Sequence, residues 1–79
     1  MHLSDLKIGE KAEIVKIETD SALKQRLYSF GIVKGAIVTI EAYSLIKDTL
    51  QILVSGTDIG LRKSEAEKIT VKVLESVDE

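Results

Sequence analysis

The side chains able to do chemistry are few and scattered. His2 is the single histidine and there is no cysteine. Tight transition-metal sites draw first on imidazole and thiolate, so a site here would have to be built from carboxylates. Glu65 and Glu67 form an acidic pair in a helical stretch, but residues two apart on a helix point in different directions. They read instead as helix-end electrostatics, with Ser64 and Glu67 at the spacing of a capping box. Ser21, Ser29, Ser44, Ser55, Ser64 and Ser76 have no evident general base, which a serine nucleophile requires. "GIVKG", with Gly31 and Gly35, lacks the Gly-Lys-Ser/Thr ending of a phosphate-binding loop and precedes a strand, not a helix. Arg62-Lys63 is a basic pair in a chain of net charge −2, too little for a nucleic-acid footprint. The expectation is a protein with no catalytic residues, no metal ligands and no cofactor.

What remains is the chemistry of surfaces. "RLYSFGIVKGAIVTI", Arg26 to Ile40, carries more apolar residues than one helical face can bury, because a helix turns about 100° per residue. Leu23, Leu27 and Phe30 fall at i, i+4 and i+7 and predict the core stripe. Tyr28 lies off that stripe, and Ile32, Val33 and Lys34 lie between two glycines. A partly exposed apolar patch marks a docking surface. The candidate partner-binding set is Leu27, Tyr28, Ile32, Val33 and Lys34, with Leu45 and Ile46 of the middle loop extending it; Leu27 also counts toward the core.

The elements that must position these residues follow from periodicity and turn chemistry. Leu3 and Leu6 predict a short helical turn near Ser4-Asp5 that Gly9 ends. Lys11 to Glu18 is β-branched and reads as a strand. Ala12 and Ile14 share one of its faces and Val15 and Ile17 the other, so it needs a bulge or burial on both sides. A helix follows, capped by Asp20 or Ser21 and stopped by Gly31 in the left-handed conformation. Gly35 then turns the chain into a strand with Ala36, Val38, Ile40 and Ala42 on one face. Lys47-Asp48 tips a loop, and Leu50, Ile52 and Val54 point inward from the next strand. Ser55 to Asp58, with Gly56, predicts a hairpin turn. A short strand at Ile59 to Arg62 and a helical turn at Lys63 to Lys68 come next. The last strand puts Ile69, Val71 and Val73 on one face, and the acidic "ESVDE" is expected to fray.

Seventy-nine residues make a single domain, 1–79, with its core at about 3–74 and an acidic tail at 75–79. A chain of this size buries only about 60% of its unfolded surface. Five short strands in so small a chain suggest a small barrel, whose closure removes exposed edges. No apolar run approaches the ~20 residues that span a bilayer, and the N-terminus lacks the zones of a signal peptide. The expected setting is the cytoplasm, without membrane insertion.

At this point "LSDLKIGEKAEIVKI", "LKQRLYSFGIVKGAIVTI" and "IGLRKSEAEKITV" resemble the FeoA family of small cytosolic proteins of bacterial ferrous iron transport. The similarity runs from Leu3 to Val73. It rests on Leu6 and Gly9, on Arg26-Leu27-Tyr28-Ser29-Phe30-Gly31, on Lys34-Gly35 and on Leu61-Arg62 with Ala66. Lys34 and Thr49 stand where the family usually has proline, which removes a backbone restraint at each. The resemblance implies a mainly β, SH3-like barrel of about five strands, one short helix and one or two helical turns. It implies no catalysis and a partner, FeoB, a membrane GTPase that imports Fe²⁺; self-association stays open. The same fold occurs as the C-terminal domain of DtxR-type metal-dependent repressors. The competing readings are therefore a metal-sensing domain and a stand-alone domain that binds a peptide, such as a proline-rich segment, in a groove lined by Tyr28, Phe30 and Tyr43.

Overall fold

Strand β3 (Thr49–Val54) shows how the sequence makes this fold. Its burial alternates strictly, with Leu50, Ile52 and Val54 inside, as period-two apolar spacing requires. Ser55 and Gly56, both at positive φ (52° and 76°), turn it directly into β4 (Thr57–Arg62). Two left-handed residues make the turn whose twist suits a two-residue hairpin. β2 (Ile37–Tyr43) pairs with the other side of β3, and β1 (Lys11–Ile17) pairs with β2 and with β5 (Ile69–Glu75). The result is one antiparallel sheet of order β4-β3-β2-β1-β5 in a computed structural model that describes residues 1–75.

The irregular apolar pattern of β1 has a specific solution. The register against β5 shifts between Ile14 and Lys16. That bulge leaves Val15 outside and returns Ile17 to the face of Ala12 and Ile14, all three of which are buried. These join Val38, Ile40, Ile59, Leu61, Ile69 and Val71 in one core, and no polar side chain is buried among the described residues.

Closure of the barrel does not come from pairing of its two end strands. β4 and β5 end the sheet and do not pair. The gap is bridged by a 3-10 turn (Leu3–Asp5), which touches β5 and α2 (Lys63–Ala66), while α2 touches β4. The Val71 N–H donates to the Met1 carbonyl (2.9 Å), and His2 bridges Thr70. The N-terminal segment thereby occupies part of the β5 edge that would otherwise expose unpaired backbone groups. Leu3, Leu6 and Ala66 fill the space beneath.

Four local expectations need correction. Gly9 does not end the first turn, which stops at Leu6; Gly9 (φ 92°) instead donates its N–H to Ile40 and leads into β1. The capping contact of α2 uses Glu65, whose carboxylate accepts the Arg62 N–H (3.0 Å), not Ser64 and Glu67. The helix α1 (Ser21–Ser29) buries Leu27 fully and Leu23 partly, but Phe30 is its C-cap and lies half-exposed. Ile32 takes the inward position in its stead. Of the acidic tail, Glu75 belongs to β5, and 76–79 lie outside the described residues.

Candidate interaction surfaces

The helix α1 is fixed at both ends. The Asp20 carboxylate accepts the Leu23 N–H (2.9 Å), satisfying one of the free donors of the first turn. At the other end the Gly31 N–H donates to Tyr28 and the Ile32 N–H to Leu27, both at 3.0 Å, with Gly31 at φ 85°. This is a Schellman motif, in which the residue after the left-handed glycine packs back on the last turn. It explains why Ile32 and Leu27 are both fully buried. Neither is available for docking while the chain is folded, so both leave the candidate partner-binding set. Tyr28 (48% exposed), Val33 (40%) and Lys34 remain at the surface, with Phe30 beside them in sequence. The link after the helix is held: the Gly35 N–H donates to Ile14 (2.7 Å) and the Ala36 N–H to Val33 (3.0 Å). An apolar surface on a fixed backbone loses little further entropy on binding.

Arg26 ties this face to α2. Its guanidinium donates to Glu65 (2.7 Å) and lies 5.8 Å from the centre of the Phe30 ring. Glu65 thus serves the Arg62 cap and the Arg26 contact at once.

Leu45 and Ile46 do not extend the Tyr28–Val33 surface. β2 starts from the link and ends at their loop, so the strand separates the two, by up to about 20 Å for a strand of this length. Both side chains are exposed, Leu45 completely. The loop beneath them is ordered by its own bonds. Ser44 Oγ contacts the Asp48 carboxylate (2.9 Å) and accepts the Thr49 N–H (3.2 Å), and the Lys63 N–H donates to the Asp48 carbonyl (2.8 Å). Lys47 sits at φ 59° at the tip.

Beside this loop lies an open groove of about 620 Å³, lined by Lys7, Ile8, Tyr43, Leu45, Lys47 and Lys63 with Leu6 at its base. The Tyr43 hydroxyl donates to the Leu6 carbonyl. Burial, then the Asp5 and Glu10 carboxylates, push the Tyr43 hydroxyl above its ordinary pKa. Neither Tyr28 nor Phe30 lines this groove, so the three aromatics do not form the single peptide groove that the competing reading needs. No local pattern announces the groove's basic rim, because Lys7, Lys47 and Lys63 come from three separate segments. Among the described residues no three His, Cys, Asp or Glu side chains come together to hold a metal ion, and no helix is long and apolar enough to cross a membrane.

Residues 1–73 match the family model of the FeoA domain. A putative Fe(2+) transport protein A of Campylobacter jejuni is 35% identical over 74 residues, spanning 94% of this chain and all of the relative. An Fe(2+) transport protein A/Fe(2+) transporter FeoB fusion protein of Porphyromonas gingivalis is 29% identical over 76 residues. That match takes in 96% of this chain, which spans 9% of the fusion's length. Among solved structures, the FeoA protein of Chlorobium tepidum superposes with a TM-score of 0.91 at 32% identity, over 99% of this chain and 74% of the other. The zinc complex of Stenotrophomonas maltophilia FeoA, described as an SH3 domain protein, gives 0.80 at 30% identity, over 91% and 89%. A manganese-dependent transcriptional repressor gives 0.87 at 20% identity over 94% of this chain and 36% of the repressor, which speaks to fold alone.

Proposed function

The chain belongs to the FeoA family, and from that premise we propose that it is a non-catalytic accessory protein of ferrous iron uptake that docks on the cytosolic part of an FeoB-type GTPase transporter. The observation that carries the reading is the P. gingivalis relative, in which an Fe(2+) transport protein A and an FeoB transporter share one chain. A covalent link raises the effective concentration of one module at the other. A separate chain has to supply the same proximity through a binding surface. The fold is an SH3-like barrel, a scaffold whose functions reside in surfaces grafted onto it. The surface put forward here is Tyr28, Val33 and Lys34, on the fixed end of α1 and its link. It works at the cytoplasmic side of the membrane.

The experiment compares wild type, Tyr28→Ala and Val33→Ser for affinity to the isolated cytosolic domain of the transporter, after circular dichroism has shown each to be folded. Each substitution should cost about 1–2 kcal/mol or more of binding, as truncation at a docking centre does. Lys16→Ala and Lys72→Ala, both on exposed strand positions, should cost almost nothing. Folded variants that bind like wild type remove the interface from this end of the molecule. A wild-type chain with no affinity for the domain or for the solubilised transporter removes the docking reading itself.

A further inference from the structure

We propose that the groove between the Lys7-Ile8 turn and the Leu45 loop is a second docking site, one that takes an acidic peptide segment of a partner protein with an aliphatic side chain at its centre. It uses none of the residues assigned to transporter docking and stands or falls separately. Three cations, Lys7, Lys47 and Lys63, line the groove, and no carboxylate does. None of the three forms an ion pair among the described residues. The neighbouring carboxylates are already engaged. Asp5 accepts the His2 N–H (3.0 Å), Glu10 accepts the Lys7 N–H (2.7 Å), and Asp48 contacts the Ser44 and Thr49 hydroxyls. Among the described residues none of these acids pairs directly with a lining lysine, so the three ammonium groups at the rim are left for a ligand. Charge of one sign around a concave site selects a partner of the opposite sign and steers its approach.

The apolar part of the lining fixes the rest of the ligand. Leu6, Ile8 and Leu45, with the ring of Tyr43, offer a slot for an aliphatic side chain between the cations. The volume lies within the roughly 300–1,000 Å³ of ordinary ligand sites. A nucleic acid fits less well: the chain is net negative, and the one aromatic present has its hydroxyl committed to Leu6, whereas single strands bind on several stacking rings. A bilayer surface fits less well too, because a flat sheet of headgroups does not fill a concavity. The walls are fixed before binding, since the bonds of Ser44, Asp48 and Lys63 hold the loop.

The test is an amide-resolved NMR titration of the full ¹⁵N-labelled chain. The probe is the blocked peptide Glu-Asp-Leu-Glu-Asp, and its neutral counterpart is Gln-Asn-Leu-Gln-Asn. The acidic peptide should move the amides of Lys7, Ile8, Ser44, Leu45 and Lys47, leave those of Tyr28 and Val33 in place, and bind more tightly as salt is lowered. The neutral peptide, and an acidic one with serine for leucine, should each bind several-fold more weakly. Lys7→Glu and Lys47→Glu should weaken the acidic peptide several-fold while the remaining amides keep their positions, which shows the fold intact. Equal affinity of the acidic and neutral peptides overturns the proposal. So do shifts confined to another face, or charge-reversed variants that bind as well as wild type. Co-sedimentation with phosphatidylglycerol vesicles in the absence of any peptide shift overturns it in favour of a lipid surface.

Discussion

Gly31 decides the course of the chain at the end of α1. At φ 85° it reverses the chain so that Ile32 packs under Leu27. A methyl placed there would approach Ser55 Oγ at 3.4 Å, which is ordinary contact, so the penalty for a side chain comes from the backbone conformation. Gly31→Val should cost roughly 1–3 kcal/mol in urea unfolding, the cost of holding a branched residue in the left-handed region. Gly60→Ala is the control: its methyl meets nothing within 4 Å and its φ is not positive, so it should unfold almost as wild type does. Ile32→Ala should lose about 2–5 kcal/mol, as a buried large-to-small change does, whereas Tyr28→Ala should leave stability nearly unchanged. Equal losses for the two would remove the distinction between buried Ile32 and exposed Tyr28. That distinction is legible in the sequence once Leu27, Gly31 and Ile32 are read together as the third-last, left-handed and following positions of a Schellman motif. Read singly, a residue between two glycines looks exposed. A charge effect sits at Glu41, where Asp58 raises the carboxyl's pKa, chiefly as a hydrogen-bond partner once one acid is protonated, then with slight desolvation and charge repulsion. The folded chain therefore holds this proton more tightly than the unfolded chain. The stability it contributes is present below the ordinary carboxylate range and is lost as pH rises through the raised value. Glu41→Gln should accordingly raise Tm at about pH 7 and change it little at a pH below the ordinary carboxylate range, where Glu41 holds its own proton. A Tm shift of the same size at both values would rule out the acid pair as its cause.

Among the elements, α2 is the one whose role depends most on another. Its cap and its link to α1 meet on one carboxylate, since Glu65 accepts from Arg62 and from Arg26. The Glu65 side chain is 12% exposed and that of Arg26 53%, so the ion pair is only half screened from water. Arg26→Ala should cost about 0–1 kcal/mol, the usual range for an exposed pair. Glu65→Ala loses the capping contact as well, and should cost about 0.3–1.5 kcal/mol more. A double-mutant cycle in urea separates the two contributions; equal single-variant losses would show that the cap contributes nothing. The elements themselves were readable to different degrees for physical reasons. β3 and its hairpin are legible because Leu50, Ile52 and Val54 alternate strictly and Ser55-Gly56 supplies the turn. β1 is legible as a strand with a defect, but Val15 and Ile17 look equivalent until the partner register places the bulge. Phe30 misleads because its spacing continues a helix that Gly31 has already ended.

Local signals stop short of what brings distant segments of the chain together. The covering of the β5 edge by Met1 and His2 depends on a contact across nearly the whole chain, and no spacing announces it. The basic groove is invisible for the same reason, since its lysines come from the N-terminal turn, the middle loop and the start of α2. The placing of Tyr28 and Leu45 on one surface fails because the link after α1 and the middle loop flank opposite ends of β2. One molecular property does follow from the inventory alone, and it can be measured. The chain has one histidine and no cysteine, and no group of three potential ligands gathers among the described residues. Zn²⁺ is held by four ligands in structural sites, or by three plus water, with imidazole and thiolate prominent among them. The S. maltophilia relative was crystallised as a zinc complex, yet family membership does not transfer a donor set that this chain would have to build from His2 and carboxylates. The His2 bridge to Thr70 and its N–H bond to Asp5 are made by the backbone, and the exposed imidazole is a single donor. Calorimetric titration of the purified chain with Zn²⁺ should therefore show no stoichiometric submicromolar site, and His2→Ala should leave the weak residual heats unchanged. A tight one-to-one isotherm abolished by His2→Ala would place a metal at the N-terminal seam. It would then favour a sensing role over an accessory one, because a metal there would couple closure of the β5 edge to the availability of the ion.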